Sequence, residues 1–486
     1  PPPPPPPLFQ AQDGIRDLDS SLVGSEMCIR DRVELMQSCL DRVAKTNPAV
    51  NAMVAMDEEL ALDTARNAEQ TVMHGEPLGL LHGLPLGVKD LQATAGLRTT
   101  YGSLLYEDFV PEEDEDTVAN LRDEGAIILG KTNTPEFGAG ANTKNRVYGT
   151  TCNPFDTDLS CAGSSGGSAV ALSLGQVPIA TGSDYGGSLR TPSAFCGIVG
   201  IRPSPGVVPG SGRAALLSPF SVNGPMGRTV EDAHLLLKAQ IDLDKRDPFS
   251  NDDVMRIPEM LSGMDLAGLN VAYSEDLGCA PVDNNIREVF RSRVNSFSHV
   301  FATATEAAPD FGKVHDVFEI QRGINFATAH MDRLANQRDK LGPNVIDNTE
   351  RGLQYTAKDV AWAQGEQAAI YQRYMDFFDD FDVLICPTAA VSPYPHTQLS
   401  VSEINGEEMP TYMRWLTLAY ALTVALPVVV ALPCGVDHKG MPFGIQIAGP
   451  NGSDAMVIEV AHALEQVLAS HAETRRAVPD IAKLVG

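Results

Sequence analysis

One stretch, Cys161 to Arg190, constrains this chain more than any other. It reads Cys-Ala-Gly-Ser-Ser-Gly-Gly-Ser over 161–168, an apolar Ala169–Leu174, then Gly-Ser-Asp-Tyr-Gly-Gly-Ser-Leu-Arg over 182–190. Two Gly/Ser-rich turns therefore flank one helix-sized apolar segment. Each turn offers a serine hydroxyl where glycines let backbone approach a ligand closely. Upstream, Gly-Leu-Pro-Leu-Gly-Val-Lys-Asp over 83–90 places Lys89 at the end of an apolar run. A lysine and two turn serines are parts from which a nucleophilic hydrolase can be built.

The chain around this stretch alternates helix-like and strand-like text. Leu35, Met36, Cys39, Leu40 and Val43 recur at helical spacing, and Asn47-Pro48 should stop that helix. A second helix, Glu58–Thr71, follows the apolar Ala52–Met56. The acidic Glu112–Asp116 reads as a solvated loop leading into a helix over Thr117–Glu124, and Ala126–Leu129 as a short strand. The region 230–380 is mostly helical by pattern and carries no catalytic signature. Phe381–Pro387, Val428–Leu432 and Phe443–Ile447 read as strands. Such alternation predicts an α/β protein with helices on both sheet faces.

Residues 1–32 stand apart. Pro1–Pro7 favour an extended polyproline segment, and Phe9–Arg32 keeps no sustained period. Val23–Arg32 resembles translated sequencing-adapter readthrough, and no apolar segment of a secretory leader is present. The expectation is a non-native or disordered extension over 1–32 and one domain over 33–486, although length alone would suggest about three.

Composition removes several function classes. A net charge of −27 and a pI near 4.7 argue against a nucleic-acid partner, which needs clustered Lys and Arg. The eight cysteines are scattered, with no CxxC pair and no His/Cys cluster. Neither a metal site nor a disulfide framework is expected, and reduced thiols in a cytoplasmic protein are. Trp415–Val436 carries no charge and is long enough for a membrane span. Pro427 and Pro433 interrupt it, so a buried helix followed by a buried strand is expected, and no membrane partner.

Three patterns compete for the chemistry. Gly125–Thr132, Gly-Ala-Ile-Ile-Leu-Gly-Lys-Thr, matches a phosphate-binding loop letter for letter. A phosphate cradle needs a flexible loop opening a helix, whereas Ala-Ile-Ile-Leu favours a strand and Pro135 follows closely. A nucleotide-binding protein is the alternative from a different class. Gly163–Gly167 also satisfies G-x-S-x-G, but the serine esterase it suggests needs a histidine, and none sits in an informative motif. The third pattern joins Lys89, Ser164 and Ser188. Singly, each has a bland reading as a snorkelling lysine or a turn serine.

Together these residues sit in a longer pattern. Gly87–Asp90, Gly130–Asn133, Gly163–Ser168, Gly182–Arg190, Ala194–Gly200 and Ile201–Ser204 resemble the amidase signature family, and the similarity runs from Val33 to about Pro450. The resemblance implies a single large α/β/α domain around a central mixed sheet, hydrolysing a carboxamide without cofactor or metal. It implies a triad: Ser188 as nucleophile, Ser164 as bridging serine after a cis Gly163–Ser164 bond, and Lys89 as base. Backbone N–H groups of Tyr185, Gly186, Gly187 and Ser188 become oxyanion donors, and Gly138 lines the substrate channel. Asp184 and Arg190 would brace the nucleophile turn, while Ser165 and Ser168 satisfy loop backbone groups. Lys131 gains no serine partner from the resemblance.

The chemistry can be argued from the residues as well. A lysine near its reference pKa of about 10.4 is no base at neutral pH. Desolvation among Leu84, Leu86 and Val88 would lower that value. Two departures from the family text stand out, Ala162 and Tyr185, the second with a phenol that could narrow the acyl site. The rival within the family is the glutaminase (A-type) subunit of a tRNA-dependent amidotransferase, from which Arg202-Pro-Ser-Pro-Gly206 departs. Tyr412, Met413 and Trp415 read as core rather than pocket. The partner expected is a small amide substrate; a homodimer is left open.

Overall fold

The apolar runs enter one sheet. The computed structural model describes residues 31–485; the segment set apart in the sequence, through residue 30, lies outside the described residues. The first helix begins at Asp31, two residues ahead of the expected boundary.

Eleven strands form the main sheet: β1 Met53–Met56, β2 Pro85–Lys89, β3 Ile127–Thr132, β4 Ile179–Asp184, β5 Val199–Arg202, β6 Val222–Gly227, β7 Asn270–Tyr273, β8 Thr303–Glu306, β9 Val383–Pro387, β10 Val429–Val436 and β11 Pro442–Ala448. Their spatial order is β1-β3-β2-β4-β6-β5-β10-β11-β9-β7-β8. The sheet is mixed: β2 runs parallel to both β3 and β4, whereas β4–β6, β6–β5 and β5–β10 are antiparallel. Helices flank it, as the alternation of periods requires.

Register positions the site. Lys89, the last residue of β2, pairs with Thr132, the last of β3, and Leu86 pairs with Ile179 of β4. Three parallel strands thus end on one rim, the side where open α/β sheets take ligands. The helix Gly166–Ser173 is buried at every residue. That agrees with its uniformly apolar text, because a helix without a polar face can only sit inside.

Several elements differ from the sequence reading. The first helix runs through Pro48 to Val50 rather than stopping at Asn47. Pro48 falls in the last turn, and Asn47 fastens the chain beyond it: its Oδ1 accepts from the Ala52 and Met53 amides, and its Nδ2 donates to Met53 O. The region 230–380 contributes two strands, β7 and β8, as well as helices. β4 and β6 carry the text Ile-Ala-Thr-Gly-Ser-Asp and Val-Asn-Gly-Pro-Met-Gly, whose small and turn-forming residues hide strand character. The uncharged Trp415–Val436 resolves as expected into a buried helix, Thr417–Val424, followed by β10. Among the described residues no helix is long and apolar enough to cross a membrane.

Candidate active site

Lys89 has no solvent exposure. It ends β2 inside an apolar layer that includes Leu84, Leu86 and Val88. Its Nζ donates to Ser164 Oγ and Ser165 Oγ, both at 2.8 Å, and to Ser183 Oγ at 3.0 Å, with Ser183 O at 3.4 Å. Burial drives its pKa down to about 7, and the Asp184 carboxylate pulls the other way without restoring the ordinary value. Four oxygens thus surround a group that owns two hydrogens when neutral. In that state the amine has a lone pair free to accept from a serine hydroxyl.

The serines arrive on the two Gly/Ser turns. The Gly163–Ser164 peptide bond is cis, and Ser164 is followed by Ser165, the cap of the buried helix. Ser188 follows the Tyr185-Gly-Gly turn after β4 and is partly exposed, whereas Ser164 is buried. The Ser165 amide donates to Ser188 O at 3.3 Å, which ties the turns together. Both hydroxyls line one pocket. Among the described residues no hydrogen bond joins Ser164 Oγ to Ser188 Oγ.

Asp184 organises the turn that carries Ser188. Its carboxylate accepts from the amides of Gly187 and Leu189 at 2.8 and 3.1 Å, and from Arg190 Nε and Nη2, both at 3.0 Å. Arg202 Nη1 lies 3.3 Å from the same carboxylate. Burial alone would raise the Asp184 pKa, but Arg190 and Arg202 outweigh it and hold the group well below the carboxylate range. The brace expected of Asp184 and Arg190 is therefore present, with Arg202 added. One expectation needs correction: the Gly187 N–H, proposed as an oxyanion donor, is occupied by Asp184. The amides of Tyr185, Gly186 and Ser188 have no protein acceptor among the described residues. Gly187 itself has φ +115°, and a Cβ there would come within 2.6 Å of Ala419 Cβ.

The pocket encloses about 590 Å³ including its open mouth. Leu91, Phe137, Phe326, Met413 and Leu416 supply apolar wall; Tyr185 and Arg322 supply polar edges. Gly138 lies against Ser164 at φ +71°, where a Cβ would stand 3.4 Å from Ser164 Oγ. Met413 therefore belongs to the pocket, contrary to the core reading. Trp415 is core, packed against Phe195 and Tyr394. Tyr412 stands between, its hydroxyl accepting from Arg322 and Asn348. Arg322 and Phe326 carried no sequence signal, because only folding brings their helix to the rim.

The sequence model of the amidase family matches residues 34–458. The chain belongs to the amidase family. An acylamidase from Rhodococcus erythropolis is 33% identical over 436 residues, 89% of this chain and 91% of that one. The A-type subunit of the glutamyl-tRNA(Gln) amidotransferase of a Cyanothece species is 31% identical, over 94% of this chain and 98% of its own. Among solved structures, a bacterial aryl acylamidase of the amidase signature enzymes superposes with a TM-score of 0.82 at 26% identity, covering 90% of this chain and 92% of that one. The protein is an amide-hydrolysing enzyme with the large mixed-sheet fold of these amidases.

The amidase does not use its other motifs as their patterns suggested. Ala126 leads from Gly125 into β3, and no phosphate loop forms over Gly125–Thr132. Lys131 is sealed inside that strand, donating to Gln92 O and, at 2.6 Å, to Thr94 Oγ1. No histidine among the described residues hydrogen-bonds to Ser164, Ser165 or Ser188. Ser168, inside the buried helix, bonds to Thr181 O of β4 at 2.8 Å, a strand carbonyl rather than the loop group expected. Ser165 Oγ meets the backbone N–H and O of Ser183, both at 3.4 Å, and in addition shares the lysine with Ser164.

Proposed function

We propose that this amidase hydrolyses a carboxamide to a carboxylate and ammonia or an amine through an acyl-enzyme on Ser188. The reading is carried by one observation: a fully buried lysine, its pKa lowered to about 7, lies 2.8 Å from Ser164 Oγ. Neutral Lys89 takes the Ser164 proton, and Ser164 takes the Ser188 proton as Ser188 Oγ attacks the carbonyl carbon. The Ser164–Ser188 link, open in the structure, closes as substrate enters; catalytic hydrogen bonds commonly tighten only in the Michaelis complex. Amides of Tyr185, Gly186 and Ser188 receive the oxyanion, each such donor being worth about 3 kcal/mol in other hydrolases. Ser164 then protonates the departing nitrogen, and water attacks the acyl carbon by the same relay. Gly138 shapes the channel beside Ser164.

The near full-length match to the amidotransferase chain supports a second reading, that of a glutaminase working with partner chains. Turnover of small, aryl and fatty amides, and of glutamine, with Ser188→Ala as blank, separates the two. Glutamine as the sole substrate would favour the second; no turnover of any amide would overturn both. The seven free cysteines among the described residues, five of them buried, support a cytoplasmic location.

A further inference from the structure

Arg322 is the one charged side chain among the residues that line the pocket. It is only 5% exposed. Its Nε donates to Asn348 Oδ1 at 2.9 Å and its Nη2 to the Tyr412 hydroxyl at 2.5 Å, both neutral acceptors. Among the described residues no carboxylate comes within ion-pair distance, and Nη1 has no protein acceptor. Three rings hold the guanidinium instead: its Cζ lies 4.7 Å from the Phe326 centroid, 5.3 Å from Tyr185 and 5.7 Å from Tyr412.

The contrast with the other arginines of the site is informative. Arg190 and Arg202 are sealed from solvent, and both reach Asp184. A buried cation without an anion is unfavourable, and ring faces offset that only in part. Arg322 lines the pocket with no anion beside it among the described residues. Tyr185 couples it to the chemistry. That residue belongs to the turn before Ser188, its ring lies under the guanidinium, and its hydroxyl accepts from Asn325 Nδ2 at 2.8 Å. Tyr185, one of the two positions where the chain departs from the family text, is thus one of the three rings that seat Arg322.

We propose that the missing anion belongs to the substrate: the amide this enzyme cleaves bears a carboxylate, which docks on the free Nη1 edge of Arg322. The inference rests on the proposed hydrolase reading and adds a substrate class to it. Arg322 is the residue for this task because its planar donors match a carboxylate in geometry as well as charge.

The test compares monoamides of short dicarboxylic acids with their methyl esters, which keep the amide and lose the charge. In the wild type, kcat/KM for the acid should exceed that for the ester by about tenfold or more, mostly through KM. Arg322→Gln should collapse that ratio towards one, and Arg322→Lys should restore part of it. A wild-type ratio near or below one overturns the proposal, and so does a ratio that Arg322→Gln leaves unchanged, which would mark Arg322 as scaffold. Calorimetry with Ser188→Ala reads the same contact without turnover: the acid should bind, and adding Arg322→Gln should weaken it about tenfold or more. Failure of the acid to bind overturns the carboxylate anchor even if neutral amides are hydrolysed. If no amide is turned over but the acid binds through Arg322, the hydrolase reading falls and the anchor stands.

Discussion

Lys89 Nζ lies 2.8 Å from Ser165 Oγ, as close as it lies to Ser164 Oγ. The base of the proposed relay therefore has two serine neighbours of equal distance, of which only Ser164 lines the pocket. Ser165 is fully buried and also approaches the backbone of Ser183. Its expected role is to aim the amine. Ser165→Ala should lower kcat by about tenfold with little change in KM, well short of the loss in Ser164→Ala, as expected when a base is misaimed rather than removed. Steady-state kinetics on one amide substrate decides it; equal losses in the two variants would contradict the division of labour.

The lowered pKa of Lys89 fixes the sign of the pH dependence. Below about pH 7 the amine is protonated and cannot accept from Ser164, so kcat/KM should fall about tenfold per pH unit there and level off above it. Lys89→Met, similar in volume, should reduce kcat about as severely as Ser188→Ala, by roughly 10⁴-fold or more, because members of one relay fail together. Stability carries the same signature. The unfolded lysine titrates near 10.4, so between about pH 7 and 10 the unfolded chain holds more protons, and this residue's penalty on folding fades as pH rises. The stability of Lys89→Met relative to wild type should therefore be greatest at acidic pH and decline towards pH 10 in urea titrations.

Asp184 faces two buried arginines and two turn amides. Asp184→Asn keeps the shape and removes the charge, leaving Arg190 and Arg202 without an anion. A loss of about 3–5 kcal/mol in unfolding free energy is expected, together with loss of activity. Full stability in a denaturant titration would show that the carboxylate is not the brace.

Gly138 is restricted twice over, by φ +71° and by its neighbours. An alanine there brings its Cβ to 3.1 Å from Leu91 Cδ1 and 3.4 Å from Ser164 Oγ. The left-handed backbone costs roughly 1–2 kcal/mol. Activity should suffer more than that, because the added methyl enters the pocket between Leu91 and the serine proposed to bridge the relay. The expected result is a melting temperature only a few degrees lower, with kcat reduced about a hundredfold.

Much of the site could be read before folding. Lys89, Ser164 and Ser188 stand in short Gly/Ser-rich or apolar-to-polar motifs, and local text of that kind survives translation into turns at strand ends. Helices with clean periodicity, such as Glu58–Met73, were equally visible. Strands built from small residues were not. β4 and β6 lack the branched and aromatic side chains that mark a strand, and they hold together because neighbours on both sides complete their hydrogen bonds.

What the chain's own order of residues determined was an inventory: an α/β alternation, one lysine at a strand end, and two serine turns around an apolar helix. Partnership was decided only in three dimensions. The turn before the buried helix set Ser165 against Lys89, Asp184 claimed the Gly187 amide, and a helix far along the chain delivered Arg322 beside Tyr185. The reason is physical. Periodicity and turn chemistry act over a few residues, whereas the partner of a buried polar group is whichever donor or acceptor the completed core leaves within 3 Å or so.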